Sequence, residues 1–489
     1  MAKTFKQGIH PRRGRELETV VEHLEQDSPL GRLFKVPFLG GISKVLIMTY
    51  LSISANGVHD YRKALTSDKP LEKANEPEEV IIPLSQNIGA PSKPVVAAGD
   101  LVEVGQKIAE AAGFVSVPLH SSVSGEVKAI KEVELPGGGE GPAIIIQSDG
   151  RNTVHDSVQP RGSFAELTPA EIQEIIKEAG IVGMGGAMFP AHVKLSVPDG
   201  KKAEAVIING AECEPYLTVD HRLMLEEAES IVFGLKALMK SVDVERGYIG
   251  IEDNKPDAIK NMQEAVKDEP GIEVIPLEAK YPQGAEKMLI NAITGKEVPS
   301  GGLPLDVGVI VQNVGTAVAV TNAIRTGMPL IERGVTVTGP GISEPKNLLV
   351  KIGTPIKEVI EQAGGFKGKP GKVILGGPMM GMTQHSTEVS TLKGTSGILV
   401  ILAEEVNQFE PSPCIKCARC VDACPLMLMP VDLARAAEYQ QIDKLEELNA
   451  LDCMECGSCS YVCPARRPLV QRIKLGKGMV MAERKKQKD

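Results

Sequence analysis

From Val80 to about Ser148, apolar and polar residues alternate in short runs separated by Gly-Asp, Val-Gly and Ser-Gly turns. A period of two broken by turns predicts a set of short β-strands. The texture changes at "LTPAEIQEIIKEAG". There Thr168 is placed to cap a helix, Pro169 fits its first position, Glu171 completes a capping box and Gly180 ends it. Helical and strand-like segments then alternate to about Ile331, among them the apolar runs "AEAVIING" and "LDVGVIVQN". Short apolar runs between helices predict an α/β layered domain. The next stretch, "GVTVTGPGISEPKNLLVKIGTPIKEVIEQAGGF", reads strand, turn, strand, helix. From about Asn407 cysteines crowd into two runs, separated by the helical "LMLMPVDLARAAEYQQIDKLEELNALD". The chain closes on "GKGMVMAERKKQKD", a basic tail expected to be solvated.

A chain of 489 residues exceeds one ordinary core and divides into three or more domains. Residues 1–75 form an N-terminal segment of uncertain role, in which "KQGIHPRRGRELE" is echoed by "ANGVHDYRKALT". The longest apolar stretch, "VLIMTYLSI" from Val45, falls far short of the roughly 20 residues of a membrane span and is expected as a buried strand. With 42% hydrophobic and 24% charged residues the composition is that of a soluble globular protein. A net charge of −9 argues against a general nucleic-acid binder. The first residues lack the apolar core and cleavage site of a secretory signal. The cysteines are therefore read as metal or cluster ligands in a reducing compartment, not as disulfides.

Eight of the nine cysteines obey one spacing, Cys-x2-Cys-x2-Cys-x3-Cys-Pro, written twice. This is the signature of bacterial two-cluster ferredoxins, in which the fourth cysteine of each run crosses to the other cluster. Cys414, Cys417, Cys420 and Cys463 are thus expected to hold one [4Fe-4S] cluster. Cys453, Cys456, Cys459 and Cys424 are expected to hold the second. Structural zinc, the plainer reading, uses paired Cys-x2-Cys knuckles and has no need of a third cysteine at the same spacing. Such clusters carry single electrons, so the bond chemistry belongs elsewhere in the chain.

"GIVGMGGAMFPAHVKL" is the candidate. Gly183, Gly185 and Gly186 let backbone N–H groups approach a phosphate or ring, and Lys194 supplies a charge. A tight turn is the plain alternative, and the loop follows a helix where the dinucleotide fingerprint follows a strand. The segment resembles the flavin-bearing, NADH-binding subunit of respiratory complex I, with its Gly-x-Gly-Gly-x-x-Phe-Pro-x-x-x-Lys. Asn209, Glu212, Glu214 and Pro215 match that family's Asn-x-x-Glu-x-Glu-Pro strand end. Gly284 and Glu286 match its Gly-x-Glu turn, and Asn313 and Thr316 its Asn-Val-x-Thr. The resemblance implies that these segments enclose FMN and place NADH over its ring. Two positions depart from the pattern: Ala211 stands where that family commonly has an acid, and Leu303 stands near the place of its nicotinamide-stacking aromatic. Cys213 is read as a small packing residue.

From about Asn56 to Val470 the chain is similar to the C subunits of Rnf complexes, the ion-translocating ferredoxin:NAD oxidoreductases. The segments "GFVSVPLHSSVSG", "NGAECEPYLTVDHRLM" and "GGPMMGM" carry much of that likeness. It implies a multidomain α/β and α+β chain. A barrel-sandwich domain (76–150) is biotinyl- or lipoyl-like, with Gly113 near the place of the carrier lysine, and so a structural module. A Rossmann-like FMN/NADH-binding domain (160–330), a β-grasp, SLBB-like domain (331–400), a helical two-[4Fe-4S] ferredoxin domain (405–470) and the tail (471–489) follow. The implied function passes electrons between NAD(H), FMN and the two clusters. A flavin reconciles two-electron hydride transfer with single-electron carriers, and no catalytic acid or base is needed. Implied partners are NADH or NAD, ferredoxin or a ferredoxin-like subunit, and integral membrane subunits. The implied place is peripheral, on the cytoplasmic face of the cell membrane. Two other readings stand beside this one: a relay subunit with a vestigial flavin site, and a soluble flavin/iron–sulfur reductase feeding another enzyme.

Overall fold

The structure, a computed structural model, describes Val58, residues 61–406 and residues 410–487. The apolar run from Val45 and the N-terminal copy of the echoed segment lie outside the described residues.

The first module is a sandwich of a four-stranded sheet (Glu79–Pro83, Glu140–Ser148, Gly125–Glu134, Leu101–Val102) and a three-stranded one (Lys93–Pro94, Lys107–Glu110, Leu119–His120). Alternation sends Val80, Ile82, Val127, Ile144 and Ile146 inward, all essentially without solvent contact. Beside Gly113, where carriers display their lysine, the Phe114 carbonyl lies 3.0 Å from His192 Nε2 and the two rings meet edge to face. The tip is docked on the next domain rather than free to swing.

That next domain holds a wholly parallel sheet in the order Ile272–Leu277, Gly247–Glu252, Ala205–Gly210, Val309–Asn313. The chain begins in Ala205–Gly210, steps outward twice, then returns to the other side of its starting strand. The crevice between the ends of Ala205–Gly210 and Val309–Asn313 is therefore the topological switch point, where open α/β sheets bind ligands. Helices Ala228–Ser241 and Val314–Arg325 cross at Gly234, where any Cβ would meet the Ala317 carbonyl oxygen at 2.1 Å. The expected helix Pro169–Glu178 carries the full Thr168–Glu171 capping box.

A six-stranded mixed sheet follows, with Glu332–Thr338 and Lys346–Lys351 antiparallel and the helix Ile356–Gln362 after them. Its edge strand is Leu71–Lys73, parallel to Lys346–Lys351. Part of the 1–75 segment thus belongs to a sheet formed some 270 residues later. The last module packs helices Pro430–Glu438, Ile442–Glu447 and Leu469–Lys486 together. The tail expected to be solvated is corrected here. Leu469, Ile473, Gly476 and Val480, spaced four, three and four apart, put one apolar stripe of the final helix into this core. The rest of the helix faces water, with Leu475 and Met481 exposed among its basic residues. Among the described residues no helix is long and apolar enough to cross a membrane.

Candidate functional site

The glycine loop arches over the switch point and is tied down from three sides. Gly183 N–H donates to the Phe189 carbonyl at 2.8 Å, closing the loop on itself. Met184 N–H donates to Thr316 Oγ1 at 3.0 Å, and Thr316 lies in the first turn of Val314–Arg325. The buried Arg333 guanidinium donates to the carbonyls of Met184 (3.3 Å) and Lys393 (2.8 Å). Within this frame the glycines differ. A Cβ on Gly185 would sit 3.8 Å from Asn313 Cβ, so glycine there keeps the space above Asn313 open. Gly186 has φ +106° and nothing near its missing Cβ, so glycine there serves the backbone turn.

The other matched polar residues gather at the same sheet ends. Asn313 accepts from Gly315 N–H (2.8 Å), capping the helix, and donates Nδ2–H to Asp220 Oδ2 at 2.7 Å. Asn209 donates to the Gly284 carbonyl at 2.8 Å and accepts from Ala211 N–H. Lys194 Nζ meets Glu286 Oε1 at 2.5 Å and the Val311 carbonyl at 3.1 Å. Glu212 and Glu214, expected on the nicotinamide side, turn to the chain's own backbone instead. Glu212 accepts from the N–H groups of Asp220 (2.7 Å) and His221 (3.2 Å) at the start of helix Val219–Glu226. Glu214 accepts from Met379 (3.0 Å) and Met380 (2.8 Å) N–H, gripping the "GGPMMGM" loop.

Sequence reasoning missed a buried charged layer under the crevice. Asp220 is held up at about 7 by burial and by the neighbouring Glu212 carboxylate. Lys63 donates to the carbonyls of Glu212 (2.7 Å), Glu214 (3.0 Å) and Leu217 (2.6 Å), and Lys255 to that of Ala211 (2.7 Å). Their partners are mostly backbone atoms far along the chain, which no side-chain motif announces. The site fits a flavin on its own evidence: open space beside Gly186 in the glycine loop, a helix N-terminus at the crevice, and a buried Gln312 amide that makes no hydrogen bond to the described residues.

Both cysteine runs adopt one backbone form. Lys416 and Ala418 in the first, Glu455 and Gly457 in the second, have φ between 57° and 80°. These left-handed residues turn Lys416 N–H toward Cys414 Sγ and Glu455 N–H toward Cys453 Sγ, each at 3.4 Å. A cavity with apolar walls is lined by Cys424, Cys453, Cys456 and Cys459, one cysteine of the first run with three of the second. Burial together with Cys456, Cys453 and Cys424 pushes the Cys459 thiol up to about 12. Cys420 lies near Cys463, while Cys414 and Cys417 face solvent. The enclosed cage of Cys424 with Cys453, Cys456 and Cys459 suits one cubane cluster of crossed ligation.

A crevice suited to a flavin, joined to a cysteine cage suited to an iron–sulfur cluster, defines an electron-transfer flavoprotein of the iron–sulfur class. Known families match the chain in the same order: the RnfC barrel sandwich hybrid domain over residues 53–151, the Nuo51 FMN-binding domain over 176–322, the SLBB domain over 335–383 and the 4Fe-4S dicluster domain over 407–464. The C subunit of the Na(+)-translocating ferredoxin:NAD(+) oxidoreductase complex of Acetobacterium woodii is 50% identical over 88% of this chain and 97% of its own. The C subunit of the proton-translocating ferredoxin:NAD(+) oxidoreductase complex of Clostridium ljungdahlii is 50% identical over 76% and 82%. The C subunit of the ion-translocating oxidoreductase complex of Rhodobacter capsulatus is 43% identical over 88% and 84%. Among solved structures, an NAD+-reducing [NiFe]-hydrogenase in its H2-reduced state aligns with 64% of this chain and 63% of its own, at 18% identity and a TM-score of 0.44. The chain belongs to the C-subunit family of the Rnf ion-translocating ferredoxin:NAD oxidoreductase complexes, as an electron-transfer subunit with an FMN-binding domain and a [4Fe-4S] dicluster domain.

Proposed function

We propose that the chain exchanges a hydride with NAD(H) at the crevice and single electrons with a ferredoxin-like partner at the first cluster. FMN, when bound, supplies the conversion between two-electron and one-electron transfer. The residues do the rest. Gly185 and Gly186 would admit the ring against the loop, the Thr316–Met184 bond fixes the loop's height, and Asn313 and Asn209 are held rigid by Asp220 and Gly284. Lys194 and Glu286 form the polar pair at the rim, and Glu286 is the matched acid left to meet a ribose or carboxamide. None of the matched segments offers an Arg for the extra phosphate of NADPH, which supports a preference for NADH.

The observation that carries the proposal is the contrast between the cages. The second lies among residues that also touch the flavin domain, with Cys456 packed beside Tyr281 and Cys213. The first opens outward at Cys414 and Cys417, beside exposed Ile415, Lys416 and Arg419. An apolar residue ringed by cations fits a partner with an acidic face around its own cluster. Such a partner, and integral membrane subunits that couple the redox step to ion movement, would place the chain peripherally on the cytoplasmic face of the membrane. Anaerobic purification with iron and flavin counted tests this. About eight irons and one FMN per chain, with NADH bleaching the flavin faster than NADPH, are expected. Flavin-free protein that NADH cannot reduce would leave only a relay.

A further inference from the structure

Between the crevice and the enclosed cage lies one compact group of residues. Gly284, whose carbonyl Asn209 holds, donates its N–H to Cys213 Sγ at 3.3 Å. Three residues earlier, Tyr281 is 2% exposed, and its phenol donates to the backbone carbonyl of Cys456 at 2.7 Å. The Tyr281 backbone is itself pinned by paired hydrogen bonds to Val58, at 2.9 and 2.8 Å. Tyr281, Cys213, Cys456, Met379, Met454, Val462 and Val58 pack as one apolar cluster. Tyr281 thus reaches from the flavin domain to the backbone of an expected cluster ligand.

We propose that Tyr281 is a positioning residue for electron transfer: its hydroxyl, bonded to the Cys456 carbonyl, seats the second cluster against the flavin crevice and raises that cluster's potential. This rests on the proposed function above. The transfer that Tyr281 would assist is of a single electron between a bound flavin and the cluster, and no bond to Tyr281 forms or breaks. The sign follows from electrostatics. A reduced cluster carries one more negative charge, and a donor dipole aimed at its ligand frame stabilises that charge, so losing the donor lowers the potential. The low dielectric of the apolar cluster around Tyr281 magnifies the effect. Cys213 packs into the same cluster and extends that apolar contact toward the crevice.

The test is Tyr281→Phe in the full chain, purified anaerobically, with both clusters titrated by electron paramagnetic resonance against dithionite. The signal absent in Cys459→Ala identifies the second cluster. Expected are unchanged flavin content, a lower potential for the second cluster alone, and several-fold slower cluster reduction after mixing with NADH. Selective loss of the second cluster in Tyr281→Phe also supports the proposal, since it shows Cys456 unseated. Unchanged potentials, or a shift confined to the first cluster, overturn it. Because dithionite reports the potentials without NADH, a wild-type protein that NADH fails to reduce sinks the proposed function and leaves this measurement standing.

Discussion

Replacing Gly185 by valine asks whether the space over Asn313 belongs to the flavin. The backbone there is not in the left-handed region, and a Cβ would sit 3.8 Å from Asn313 Cβ, an ordinary contact. Gly185→Ala should therefore leave the apoprotein within about 1 kcal/mol of wild type, even slightly stabilised through the unfolded chain. Valine's γ-carbons extend about 1.5 Å further, into the space that the proposed flavin would take beside Asn313. Gly185→Val should weaken flavin binding at least a hundredfold, about 2.7 kcal/mol, without an equivalent loss of fold stability. Gly186→Ala is the comparison in which backbone strain is added, and unlike Gly185→Val it should cost fold stability. At φ +106° its Cβ meets no neighbour, but the conformation itself costs about 1–2 kcal/mol. That corresponds to a fall of roughly 2–8 °C in Tm for a domain of this size. Flavin-to-protein ratios from absorbance, Kd by fluorescence quenching on the apoprotein, and apoprotein melting curves separate the two. Full flavin occupancy in Gly185→Val, with an unchanged Tm, would place the cofactor elsewhere and refute the reasoning.

Cys424→Ala should empty the cage it shares with Cys453, Cys456 and Cys459 and leave about four irons per chain; loss of the surface cluster alone would mean uncrossed ligation. Asp220 titrates near 7 in the folded chain against an ordinary 3.8. The native state therefore holds more protons between about pH 4 and 7, and this contribution to stability falls as pH rises through that window. Asp220→Asn removes that slope, so urea midpoints of wild type relative to the variant should drop from about pH 5.5 to about pH 8, and parallel curves would contradict the buried placement. Glu214→Gln keeps one acceptor but sets an amide N–H against the backbone donors of Met379 and Met380. It should cost about 1–3 kcal/mol of stability while dithionite still reduces both clusters, whereas unaltered denaturation would show that the grip on that loop contributes nothing.

The two cysteine runs were legible in the sequence because cluster chemistry demands a local spacing, and the structure adds that Cys424 joins Cys453, Cys456 and Cys459 around one cavity. The glycine loop, its lysine and the two asparagines were legible through a local pattern joined to a resemblance. Local capping rules likewise placed Thr168 and Glu171 correctly. What tertiary structure alone decided were pairings between distant segments. Glu212 and Glu214 stand two residues apart in one matched motif, yet their carboxylates serve a helix start and a loop some 165 residues on, because burial obliges each to find a donor. Lys63 came from a segment with no assigned role and proved to be a buried anchor for three carbonyls. The basic tail became a packed helix since a stripe of four apolar or small residues suffices once a partner face exists. The Tyr281–Cys456 bond spans 175 residues. A hydrogen bond of that kind depends on how two domains dock, and no window of sequence contains both of its ends.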